Sequence, residues 1–159
     1  MLSPANQMES ISNWAKTWEM KFSVYFLDDV FSLKSILAAW DANSNGAVNF
    51  RFLNFKIDNG TFSYSTSLGG ATTQHLIGPK LSNQTWYNIT IRQQTYDPEK
   101  IEHIVFLDEI EIYSIVAENP EYPDQLVVVA AAFYPAAARM DNYELELFKC
   151  ESKLGCSVK

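Results

Sequence analysis

Residues 18–26 read WEMKFSVYF, with an apolar side chain at every second position. Trp18, Met20, Phe22, Val24 and Phe26 fall on one side, and Glu19, Lys21 and Ser23 on the other. A helix repeats every 3.6 residues and would scatter this set, whereas an extended strand alternates with period 2. A strand with one apolar face needs a sheet around it and a second layer to cover it. The same alternation returns over 85–94, where Tyr87, Ile89 and Ile91 oppose Asn88, Thr90 and Arg92. It returns again where Tyr143, Leu145 and Leu147 oppose Asn142, Glu144 and Glu146.

Between these segments lie shorter strands and turn chemistry. Leu33 to Trp40 is apolar; its SILAAW run suits a short helix by propensity but is short for one. DANSNG (41–46) follows as a polar turn, and Val48, Phe50 and Phe52 alternate after it, with Phe55-Lys56-Ile57 continuing. Asp58-Asn59-Gly60 is a hairpin signal, with Thr61 to Ser65 as the returning strand. His75-Leu76-Ile77 reads as a short strand, and Ile101–Leu107 with Ile110–Ile115 as a hairpin about Asp108-Glu109. Leu126 to Phe133 reads as a strand buried on both faces. The result is an all-β chain of about ten to twelve strands with turns at regular spacing, an antiparallel two-sheet β-sandwich of jelly-roll type.

The 159 residues suffice for one domain with a full core. We divide the chain into an N-terminal extension (1–13), the sandwich (14–149) and a C-terminal tail (150–159). An aromatic content of 14% favours pleated, half-buried surfaces. A net charge of −7 repels phosphate backbones, which argues against nucleic acid and anionic membranes. The longest apolar stretch, Leu126 to Ala138, is broken by Pro135 and too short to span a bilayer, and residues 1–7 carry no signal-peptide pattern.

Two features point to an oxidising, extracellular or secretory compartment. Cys150 and Cys156, in CESKLGC, are spaced for a small disulfide loop, with two free thiols as the alternative. Asn59-Gly60-Thr61, Asn83-Gln84-Thr85 and Asn88-Ile89-Thr90 are N-glycosylation acceptors.

The order of these segments resembles the concanavalin A-like jelly rolls, the laminin-G-like type above all. WEMKFSVYF is similar to their opening strand. WYNITIRQ (86–93) is similar to their strand with a leading Trp, alternating aliphatics and a closing Gln. The hairpin IVFLDEIEIYS, a proline-led segment, a buried strand and RMDNYELELF follow in the same order, so the likeness covers Trp14 to Phe148. The hairpin turn carries Asp108-Glu109 where those domains often have glycine, which speaks against a tight type I′ turn there. The resemblance implies glycan, glycosaminoglycan or protein binding, sometimes with calcium; it also contains glycoside hydrolases, and fold alone does not choose.

The residues offer limited chemistry. A retaining glycosidase needs two carboxyls about 5–5.5 Å apart. Glu109 and Glu111 would share a strand face, but Tyr113 stands where the hydrolases of this fold carry a third carboxylate. Glu144 and Glu146 form a second pair, and both pairs read as solvated strand faces. His75 and His103 have no glycine-flanked serine nearby, and His103, in phase with Ile101 and Val105, reads as a packed strand histidine. In VNFRF (48–52), Asn49 and Arg51 fit two of the three residues with which galectins read galactose, but Ala47 holds the histidine place. Asp41, Asn43 and Asn45 alternate as in a calcium loop, but the twelfth position is Phe52 rather than glutamate, so the loop is no EF-hand. It reads as a turn between strands, with weak calcium binding, helped by Asp28-Asp29, as the alternative.

The expectation is a non-catalytic, extracellular, lectin-like or adhesion domain for a glycan or protein ligand. Trp40, Asn43, Asn45, Tyr122 and Tyr134 are the candidate ligand contacts, since sugar sites combine an aromatic platform with amide groups. A structural or self-associating module is the alternative reading, and a glycoside hydrolase the second.

Overall fold

The computed structural model describes residues 6–12, 17–27, 34–41, 51–66, 73–97, 100–118, 125–130, 138–152 and 155–158. These form twelve strands: β1 (Asn6–Ser12), β2 (Thr17–Phe26), β3 (Lys34–Asp41), β4 (Arg51–Asp58), β5 (Thr61–Thr66), β6 (Thr73–Ile77), β7 (Trp86–Asp97), β8 (Lys100–Leu107), β9 (Ile110–Glu118), β10 (Gln125–Ala130), β11 (Ala138–Ser152) and β12 (Gly155–Val158). They make two six-stranded sheets. The order in sheet A is β1-β10-β3-β4-β5-β6, and in sheet B β12-β11-β2-β7-β8-β9. Every pairing is antiparallel.

The alternation in β2 decides its place. Trp18, Met20, Phe22, Val24 and Phe26 are all buried, facing Leu53, Phe55, Ile57, Phe62 and Tyr64 of sheet A. Phe55 stacks on Phe62 with ring centroids 4.9 Å apart, and Phe22 meets Phe55 edge-on. Aromatic pairs in these geometries add to the stabilisation from burial alone. SILAAW is strand rather than helix, because β4 and β10 flank it and supply its backbone partners.

Residues 6–12 pair with β10, and 155–158 pair with β11, where Cys150 and Cys156 are direct Cα partners. DANSNG lies mostly outside the described residues, after Asp41 closes β3.

Both tight hairpins turn through two residues of positive φ. Asn59 (φ 50) and Gly60 (φ 71) form the expected type I′ turn. Asp108 (φ 47) and Glu109 (φ 68) do the same, overturning the expectation drawn from the missing glycine. Asp108 tolerates the left-handed region and is held there: its N–H donates to the Asn88 carbonyl at 2.9 Å. Its Oδ1 accepts from the Asn88 backbone N–H and side-chain amide at 3.1 and 2.9 Å.

One polar chain crosses the core. The Tyr64 hydroxyl of β5 meets His103 Nδ1 of β8, and His103 Nε2 lies 2.6 Å from Gln93 Oε1 of β7. Burial raises the Tyr64 phenol well above its usual range, so the O–H donates, and Nε2–H donates to Gln93. Burial also lowers the imidazole to about 3, so it is neutral. His103 is the packed strand histidine expected, with Trp18 edge-on at 5.6 Å.

Candidate functional site

The outer face of sheet B carries a groove of about 580 Å³. Its floor is the polar half of the alternation: Lys21 and Ser23 of β2, and Asn88, Thr90 and Arg92 of β7. Phe106 of β8, Glu109 in the β8–β9 turn and Glu144 of β11 complete the rim. The β2–β7 register sets Glu19 opposite Arg92 and Ser23 opposite Asn88.

Glu19 was expected to face solvent, yet its side chain is only 8% exposed, because two cations close over it. Lys21 Nζ is 2.7 Å from Oε1. Arg92 Nε and Nη2 reach Oε2 at 2.6 and 2.5 Å. Burial alone would raise the carboxyl's pKa, but hydrogen bonds from Lys21 and Arg92 and their charges outweigh it and hold it below its ordinary value. Arg92 also lies over the Phe106 ring, 5.1 Å from the centroid. Its planar head is therefore fixed by a carboxylate on one side and an aromatic face on the other. Ser23 donates to Asn88 Oδ1 at 2.8 Å, so the amide too is held in place.

The carboxylate pair Glu109 and Glu111 does not share a strand face. Glu109 sits in the turn and lines the groove, while Glu111 opposes Phe106 across the β8–β9 ladder, beside a register shift. The left-handed backbone at Glu109 sends it to the rim, where Glu144 also stands.

Of the residues expected to contact ligand or metal, Trp40 and Asp41 are the two that fall among the described residues. Trp40 and Asp41 end β3, their backbones opposite Val127 and Leu126 in sheet A. Asn43, Asn45, Tyr122 and Tyr134 lie outside the described residues. Among the described residues no cluster of three or more His, Cys, Asp or Glu could hold a metal ion. Sequence reasoning missed Lys21, Arg92 and Phe106. Their only signal was opposite charge at outward positions of β2 and β7, and register alone makes that a contact.

Asn59 and Asn83 are exposed, each in a turn. Asn88 is exposed, but its side-chain amide donates to Asp108.

The outer face of sheet A differs. Ser35, Asn54 and Ser63, from three neighbouring strands, are 1–2% exposed. Among the described residues, the hydroxyls of Ser35 and Ser63 and both side-chain polar atoms of Asn54 find no hydrogen-bond partner.

Comparison with solved structures fits this architecture. Mouse laminin alpha1 chain domains LG4-5 superpose with a TM-score of 0.62 at 12% identity, over 97% of this chain and 43% of that one. Sheep galectin-11, solved in complex with glycerol, gives 0.56 at 10% identity over 91% and 99% of the two chains. An endo-β-1,4-glucuronan lyase from the fungus Trichoderma reesei gives 0.57 at 10% identity over 90% and 76%. No family model and no curated protein sequence matches the chain. The fold is thus a concanavalin A-like jelly roll, an architecture that hosts binding domains and, in the lyase, an enzyme.

Proposed function

We propose that the chain is a non-catalytic binding domain of the extracellular or secretory space, taking a neutral, hydroxyl-rich ligand, a glycan first and a polar protein surface second. The observation that carries this is the groove on sheet B. Its Arg92, Ser23 and Asn88 are fixed by their own hydrogen bonds, beside an aromatic ring and the hydroxyl of Thr90. Donors and acceptors already in place lose little freedom when a polyol binds. Lys21 and Arg92 are both engaged by Glu19, while Glu109 and Glu144 stand exposed at the rim, so anionic glycans are disfavoured.

The non-catalytic reading draws support from where the perturbed groups lie. His103 and Tyr64 are in the core, and Glu19, held ionised, has no proton to give at neutral pH. The compartment draws support from the exposed turn positions of Asn59 and Asn83. The Cα pairing of Cys150 with Cys156 adds to it, since facing residues in an antiparallel ladder stand about 4.5–5.5 Å apart, within disulfide reach. Trp40, Asn43, Asn45, Tyr122 and Tyr134 remain part of the proposal as contacts at the loop ends, as does calcium at Asp41, Asn43 and Asn45. A melting curve unmoved by chelator removes the metal.

The test is a panel of neutral and uronate- or sulfate-bearing oligosaccharides titrated by calorimetry against the wild type and Arg92→Ala. Neutral-sugar binding that weakens at least about tenfold in Arg92→Ala is expected. Silence across the panel, a preference for the anionic members, or new chain ends released from any polysaccharide sinks the reading.

A further inference from the structure

We propose that Trp86 is the end subsite of the sheet B groove, a plate on which the last unit of an extended neutral oligosaccharide stacks while the chain runs along β7 to Arg92. This rests on the glycan reading above and adds to it a direction and a length. Among the described residues four large hydrophobic side chains are exposed: Leu76, Trp86, Ile110 and Val116. Trp86, 46% exposed, is the one aromatic residue of the four and the one on a strand that floors the groove. It lies in phase with Asn88, Thr90 and Arg92 on the outer face, while Tyr87, Ile89 and Ile91 turn into the core. The β7–β8 ladder begins at Ile89 and Leu107, so the strand that flanks the rest of the floor stops short of Trp86. On the other side Tyr25 of β2 is its direct partner, with ring centroids 5.2 Å apart and planes at 45°. The backbone ahead of the ring is tied down: Gln84 N–H donates to the Phe26 carbonyl at 2.8 Å, and Ser82 N–H to the Tyr87 hydroxyl at 2.7 Å.

A pyranose ring has an apolar C–H face and a rim of hydroxyls. It calls for a flat aromatic surface with polar groups at fixed places beside it. Asn88, two residues further on the same face and so about 7 Å away, supplies them. Its Nδ2 donates one hydrogen to Asp108 and its Oδ1 accepts one from Ser23, which leaves one N–H and one lone pair for a ligand. An apolar segment lying on Trp86 would strip water from Asn88 and Asp108 and give nothing back, whereas a hydroxyl replaces that water. This selects a sugar over an apolar partner. From Trp86 to Arg92 the strand advances about 20 Å, the length of roughly four pyranose units in an extended β-1,4-linked chain. A coiled α-1,4-linked chain departs from so straight a path.

The test is calorimetric titration of the full chain, with Asn88 unglycosylated, against β-1,4-linked gluco-, manno- and xylo-oligosaccharides and α-1,4-linked gluco-oligosaccharides of increasing length. Affinity for at least one β-1,4-linked series is expected to rise up to about four units and then level off. Trp86→Ala and Trp86→Leu are expected to weaken binding of the tetramer at least about tenfold, and Trp86→Phe by no more than about threefold, because a flat ring rather than apolar bulk makes the contact. In the wild type the Trp86 indole N–H resonance, assigned by its loss in Trp86→Phe, is expected to shift with the tetramer, a reading that needs no variant to keep its stability. Binding that Arg92→Ala weakens but no Trp86 variant does, with the indole signal unmoved, overturns the plate and leaves the groove reading standing. Silence towards every sugar overturns both. Equal losses in Trp86→Leu and Trp86→Phe overturn the stacking, and a preference for the α-1,4-linked series overturns the path along β7.

Discussion

The two outer faces of the sandwich solve the same problem in opposite ways. Sheet B's face is built from polar side chains that satisfy one another: Glu19 with Lys21 and Arg92, Ser23 with Asn88, Gln94 with Glu102 at 2.9 Å. Sheet A's face, at Ser35, Asn54 and Ser63, holds polar side chains that are buried with atoms that find no partner among the described residues. Side-chain length does not separate the two faces, since Ser23 bonds Asn88 directly across the β2–β7 pair, whereas Asn54, as long as Asn88, stands opposite Ala38 on β3. An outward position in the alternation is therefore not the same as a solvated one. Register decides whether a polar group finds a partner, and which one.

The largest test of this contrast is acid, applied to the layer both faces share. His103 is neutral in the fold with a pKa near 3, against an ordinary value of 6.5. Between these values the unfolded chain binds a proton that the folded chain does not, so stability falls as pH drops from 6.5 towards 3. The loss is on the order of 5 kcal/mol at the acid end. Glu19, whose carboxyl is held below its usual 4.5, adds a second loss beginning near pH 4.5. Chemical denaturation from pH 7 to 3 should show both: His103→Gln flattens the upper part and Glu19→Gln the lower. A profile that His103→Gln leaves unchanged excludes the neutral buried imidazole.

Next in size, Glu19→Ala at pH 7 should cost about 1–2 kcal/mol. It strips the charged partner from two cations that can still turn to water, being 46% and 43% exposed. Asn54→Val should do the opposite and raise stability by about 1–2 kcal/mol, because it removes an amide that gains nothing in the fold. Opposite signs in one urea titration series would confirm the contrast; two losses would mean that Asn54 has a partner after all. Smallest, Glu109→Gly should stabilise by about 0.5–1 kcal/mol by relieving a left-handed glutamate, while removing one carboxylate from the groove.

Much of this architecture is legible in residues 18–26 and 86–93, where alternation states which side chains turn inward, and in Asp58-Asn59-Gly60, where the turn type is written in the glycine. The groove is not legible in the same way. Arg92 and Glu19 stand 73 residues apart, and only the pairing of β2 with β7 makes them one feature. The turn at Asp108-Glu109 misleads for a related reason. The residue that licenses its backbone is Asn88, twenty positions away. The candidate contacts Trp40 and Tyr122 rest on residue type and on their neighbours in the chain, a signal that carries no information about pairing.

The Tyr64–His103–Gln93 chain has one more consequence. Oily layers resist separation but are nearly indifferent to sliding, since one apolar contact replaces another at small cost. A hydrogen bond is directional and fails within an ångström or so of displacement. By tying β5 of one sheet to β8 and β7 of the other, this chain fixes the lateral offset between the layers, and with it the alignment of any surface that draws on both.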